Sequence, residues 1–82
     1  MSIELLRKEI DVVDDQLVAL LKARFDLSRA IGEEKKKLNR PVYDAAREAT
    51  LLLRLEEAAA PYGGEVRVLY ERIMELSRKL QA

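Results

Sequence analysis

Nothing between Ser2 and Leu38 stops a helix, and the apolar residues along that stretch do not come in a number that one small chain can cover. Ile3, Leu6, Ile10, Val13, Leu17 and Leu20 step by three and four, the spacing that keeps one stripe of a helix on one side. Ser2 is a suitable N-cap with Glu4 in the first turn, and Gly32, the one weak helix former inside, costs only about 1 kcal/mol. Some 36 residues at about 1.5 Å each make a rod of roughly 54 Å, whereas a compact domain of this size has a radius of gyration of about 12 Å. The chain has 82 residues, room for one modest core. The stripe is therefore expected to pack on another protomer, in an intertwined helical homodimer.

The remainder reads as two further helices. In NRPVYD (residues 39–44), Asn39 ends the first helix, Pro41 forbids its continuation and Asp44 is an N-cap for the next. That second helix is expected from Ala45 to about Ala60. Pro61 and the pair Gly63-Gly64 then punctuate the chain. A third helix is expected from Glu65 to about Gln81, with Val66, Leu69, Ile73, Leu76 and Leu80 on one face. No strand pattern or repeat is visible. The fold class is all-α, with three helices in a single domain over residues 1–82.

Composition narrows the chemistry. The chain has no Cys and no His, which argues against disulfides, thiolate nucleophiles, zinc clusters and the commonest general base; no metal or cofactor is expected. Lys and Arg number 15 and Asp and Glu also 15, so nothing draws the whole molecule to nucleic acid or to an anionic membrane. An anion site would have to be built locally. MSIELLRKEIDVVDD offers no uninterrupted apolar run for a secretory signal, and the expectation is a soluble, cytoplasmic protein.

Several polar residues fall on faces that should be apolar. After Leu20 the next step of the stripe lands on Arg24, and the pattern then resumes at Leu27 and Ile31. Arg24, Ser28 and Lys35 lie within about 40° of one another around the helix, and Arg24 and Lys35 start roughly 16 Å apart along it. Two long cations so placed could lean in from opposite ends on a small polyanion. The competing reading is that Arg24 snorkels or pairs with a buried carboxylate and that EEKKK is a solvated face. In the third helix, Ser77 and Gln81 follow Ile73 at intervals of four. Ser77 could instead bond its own backbone, and Gln81, one residue from the end, could be frayed. In DAAREA, Asp44 caps, while Arg47 and Glu48 could form an ordinary surface pair.

Taken together these residues resemble a known set. LLRKEIDVVDDQLVALLKARFDLSRAIGEEKK, followed by RPVYDAARE and then IMELSRKLQ, is similar to the all-helical AroQ class of chorismate mutases over nearly the whole chain. Arg7, Arg24, Lys35, Asp44, Arg47, Glu48, Ser77 and Gln81 fall where that family places its active-site residues. The resemblance implies a dimer of three-helix chains with two equivalent sites, each taking one arginine from the neighbouring subunit. Helix geometry agrees with sharing. Arg7 and Arg24 are 17 residues apart, about 25 Å along one helix and about 100° around it, so they cannot clasp one small molecule within a chain.

The reaction implied is the pericyclic rearrangement of chorismate to prephenate in phenylalanine and tyrosine biosynthesis, which needs no nucleophile, metal or redox cofactor. By resemblance, Arg24 and Arg7 of the partner subunit bind the two carboxylates. Lys35 and Gln81 donate to the ether oxygen, Glu48 accepts from the ring hydroxyl, and Ser77 assists a carboxylate. Asp44 and Arg47 bind the substrate edge and order the connector. A partner enzyme of the shikimate pathway is compatible with the resemblance. Two alternatives remain. Isochorismate-pyruvate lyases share the fold, but lack an acidic residue at the position of Glu48 and a serine at that of Ser77. The other is a helical dimerisation or regulatory module without turnover. Two departures from the family stand out: the chain ends directly after Gln81, at Ala82, and PYGGEV lacks an acidic cap.

Overall fold

The computed structural model describes residues 2–82 and carries three helices, α1 (Ile3–Lys37), α2 (Ala45–Ala58) and α3 (Gly63–Gln81), with no strand among the described residues. Each end of α1 has a local cause. The Ser2 hydroxyl accepts from the Leu5 amide at 3.2 Å, meeting one of the donors that a helix start leaves unpaired. At the other end, Asn39 takes a left-handed conformation (φ 54°), which asparagine tolerates better than most side chains. The Arg40 amide then returns to the Lys35 carbonyl (2.8 Å) and the Asn39 amide to that of Lys36 (3.2 Å), the two reversed bonds that close a Schellman motif. Lys35, Lys36 and Lys37 place positive charge against the negative end of the helix dipole.

α2 opens on Asp44, whose Oδ1 accepts from the Arg47 amide at 3.0 Å. It ends at Ala58, because the next amides turn back tightly: Ala60 bonds the Glu57 carbonyl and Tyr62 that of Ala59. α3 begins at Gly63, so the glycine pair lies in its first turn and does not form a linker. Close approach explains one of these glycines. A Cβ on Gly63 would lie 2.8 Å from the Glu56 carbonyl oxygen, so the bare backbone lets the elbow between α2 and α3 fold shut.

α3 packs against both other helices, while α1 and α2 do not pack on each other. This wedge position decides which side of α3 is inside. Ile73, Met74 and Ser77 are buried, together with Leu51 of α2, whereas Leu69, on the face expected to point inward, is 51% exposed. An element held between two neighbours buries a broader arc than a stripe drawn for one.

The molecule measures 54 × 23 × 15 Å with a radius of gyration of 15.7 Å, well above the roughly 12 Å of a compact chain of this length. The excess is the first half of α1. Residues 2–20 are exposed on every side, with Ile10 at 58% and Leu20 at 68%. A contiguous apolar surface of this kind is uncommon on a chain that works alone. Among the described residues, no helix is long and apolar enough to cross a membrane.

Candidate active site

The second half of α1, the connector, the first turn of α2 and the last turns of α3 enclose a cleft of about 450 Å³. Arg24, Lys35, Asp44, Arg47, Glu48, Ser77 and Gln81 all lie on its walls. Arg7 does not; it sits on the exposed half of α1.

Arg24 is half-buried, and its Nη1 donates to the Ser77 hydroxyl at 2.6 Å, while the guanidinium carbon lies 5.6 Å from the centre of the Tyr70 ring. Its neighbours are a hydroxyl and an aromatic face, which support a cation without neutralising it. The partner of buried Ser77 is thus this guanidinium from another helix, where the sequence left open a bond to its own backbone. Ser28, one turn beyond Arg24, is also buried and donates to the Arg24 carbonyl at 3.1 Å. Its proton is spent on the helix.

Lys35 joins three segments. Its Nζ donates to the Val42 carbonyl of the connector (2.7 Å) and to Oε1 of Gln81 at the end of α3 (2.8 Å). An ammonium has three donors, so one remains for a ligand. The same bond orients Gln81. Because lysine can only donate, the amide oxygen faces it and the amide N–H donors are left for the cleft that Gln81 lines. The alternative of a frayed terminus is not what the structure shows: Gln81 is half-buried and helical, and the Ala82 amide still bonds the Arg78 carbonyl.

Asp44 spends one oxygen on its cap, and Arg47, next to Glu48 in sequence, is exposed. Glu48 pairs instead with Arg78 of α3, whose guanidinium also lies 5.1 Å from the centre of the Tyr43 ring. The hydrogen bond to Glu48, ahead of simple charge attraction and against the effect of burial, holds the Arg78 guanidinium above its ordinary value. Sequence reasoning missed Arg78. The available signal is its position four residues after Met74, on the buried side of α3, whereas the apolar pattern points to the face of Leu69 and Leu76.

Arg24, Lys35, Arg47 and Arg78 set four cations against the carboxylates of Asp44 and Glu48, a local charge of +2 in a chain that is neutral overall. None of the ion pairs among the described residues includes Arg24, Lys35 or Arg47. Leu51, Met74 and Ile31 supply an apolar lining in which those charges are less screened than in water. No group of three or more carboxylates among the described residues is arranged to hold a metal ion. Such a cleft can take up a small dianion, hold it in one conformation and meet charge that develops on an oxygen near Lys35 and Gln81.

Residues 6–82 match the family described as chorismate mutase type II. Curated relatives include a 3-dehydroquinate dehydratase from Pyrobaculum aerophilum, 33% identical over 76 residues, and a bifunctional chorismate mutase/prephenate dehydratase from Aquifex aeolicus, 42% identical over 62 residues. The matched segments are 93% and 72% of this chain but 23% and 17% of those proteins, so the chain spans less than a quarter of either. Among solved structures, a conserved hypothetical protein from Pyrococcus furiosus superposes with a TM-score of 0.82 at 43% identity, covering 96% of this chain and 93% of the other.

Proposed function

The chain belongs to the chorismate mutase type II family, and from that membership we propose that it converts chorismate to prephenate in cleft pairs shared by an intertwined homodimer. The observation that carries the reading is the set of three cations, Arg24, Lys35 and Arg47, on the wall of one cleft with no carboxylate partner among the described residues. A protein does not gather uncompensated positive charge in a partly apolar recess without cost; a dianionic substrate offsets it.

The rearrangement is unimolecular, so the protein's contribution is to hold the folded conformer and to favour charge on the breaking ether oxygen. Arg24, steadied by Ser77 and Tyr70, binds one carboxylate. Arg7 of the partner subunit binds the other. Lys35, with one N–H to spare, and the amide of Gln81 donate to the ether oxygen, where negative charge grows in the transition state. Glu48 keeps one oxygen on Arg78 and offers the other to the ring hydroxyl. Asp44 fixes the start of α2, so that Arg47 meets the edge of the substrate.

Sharing of the site is supported by the uncovered stripe on residues 3–20 and by the distance of Arg7 from the cleft. A cytoplasmic location fits the metabolite proposed as substrate. Both curated relatives are longer proteins named for a dehydratase activity, one of them joined to a mutase. Work beside another enzyme of the same pathway is consistent with that. The test is to mix the purified protein with chorismate, follow the ultraviolet absorbance and identify the product. Prephenate supports the reading; pyruvate with an aromatic acid, or no turnover, overturns it.

A further inference from the structure

Gly32 is the one buried residue of α1 besides Ser28, and it lies where α1 passes the last turn of α3. A Cβ at this position would sit 2.5 Å from the Gln81 carbonyl oxygen, 2.6 Å from its Cα and 2.9 Å from its carbonyl carbon. All three are backbone atoms. No change of rotamer relieves such an overlap, so the end of α3 would have to move away from α1. Gly64 makes the contrast, since a Cβ there meets nothing within 4 Å.

Lys35 stands three residues beyond Gly32 on the same side of α1 and bonds the side chain of the same glutamine at 2.8 Å. One residue of α3 is thus met twice, its backbone by Gly32 and its amide by Lys35. The second contact depends on the first, because a hydrogen bond of that length does not survive a displacement of an ångström or more. We propose that Gly32 is a positioning residue for catalysis: by admitting the backbone of Gln81 against α1, it sets the Gln81 amide, and with it the Lys35 ammonium, at the place where the substrate's oxygen must lie. The inference rests on the reading of Gln81 as a donor to the substrate. Glycine weakens a helix in its interior, but any larger residue here would part the two donors.

The test compares Gly32→Ala with Gly64→Ala, and Gly32→Ala with Gln81→Ala and their double variant, all in the full chain. Thermal melting should move in opposite senses. Gly64→Ala holds or raises the midpoint, as alanine is the better helix former, whereas Gly32→Ala lowers it. In turnover, Gly32→Ala should reduce kcat/KM on the order of a hundredfold, the scale of a 1 Å misplacement, and the loss should fall mainly on kcat. Adding Gly32→Ala to Gln81→Ala should then cost much less than Gly32→Ala costs alone, since one of the two donors it sets is already gone. The proposal is overturned if Gly32→Ala melts at or above the parent, if it keeps full activity, or if its loss multiplies with that of Gln81→Ala. Absence of turnover in the unmodified protein would remove the mutase reading, yet the opposite melting shifts would still show whether Gly32 is the docking point of α3.

Discussion

Two inactive variants should restore each other. The cleft, about 450 Å³, is equivalent to a sphere roughly 10 Å across, while Arg7 lies about 25 Å from Arg24 along an unbroken helix. One chain cannot bring both to one ligand, so in the shared arrangement proposed each site takes Arg24 from one subunit and Arg7 from the other. Arg7→Ala or Arg24→Ala removes one charged partner of a carboxylate, a loss on the order of 2 to 5 kcal/mol, which leaves at most a few per cent of activity. When the two variants are unfolded and refolded together in equal amounts, random pairing makes about half the dimers mixed. Each mixed dimer has one site with both arginines and one with neither, so about a quarter of the parental activity should return. The assay is chorismate consumption by the refolded mixture against each variant refolded alone, with mixed dimers verified by a size or charge tag on one chain. Mixed dimers present without recovered activity would refute the shared site and the role given to Arg7.

Further outcomes follow from the same geometry. Lys35→Ala should lower kcat/KM by on the order of 2 to 5 kcal/mol while the helical circular dichroism persists, and a variant as active as the parent would remove Lys35 from the site. Gln81→Glu replaces an amide donor with a carboxylate, so activity should fall at neutral pH and rise as the pH drops toward the carboxyl's own range; a flat profile would show that residue 81 does not reach the substrate. Ile10→Asp places a charge in the exposed stripe, and sedimentation should show loss of the dimer together with loss of turnover, although residue 10 is remote from the cleft.

The long helix could be read from sequence because its signals are local: a capping serine, an unbroken stripe, and an asparagine and a proline at its end. Arg24 stood out because it broke that stripe, and Lys35 and Ser77 because helical spacing set them beside it or on the apolar face, but spacing left a structural role open for each and it is the family resemblance that assigns them to a site. What depends on a neighbour was less visible. Leu69 fits an apolar stripe as well as Ile73 does, and only the wedge of α3 between α1 and α2 turns Met74 and Ser77 inward and leaves Leu69 out. Gly63 looked like a linker, but its role depends on a carbonyl of α2 that sequence spacing cannot bring near. The pairing of Glu48 with Arg78 spans 30 residues, whereas spacing along one helix suggested Arg47.

The exposed half of α1 carries both the apolar stripe and Arg7. In the shared arrangement proposed, the group that completes a cleft is delivered by the surface that joins the chains. Specific activity then becomes a measure of association. On dilution below the dissociation constant it should fall in proportion to the fraction of paired chains, and substrate, which bridges the two subunits, should hold them together. A substitution on residues 3–20 that weakens pairing would resemble a catalytic defect in a dilute assay and vanish in a concentrated one.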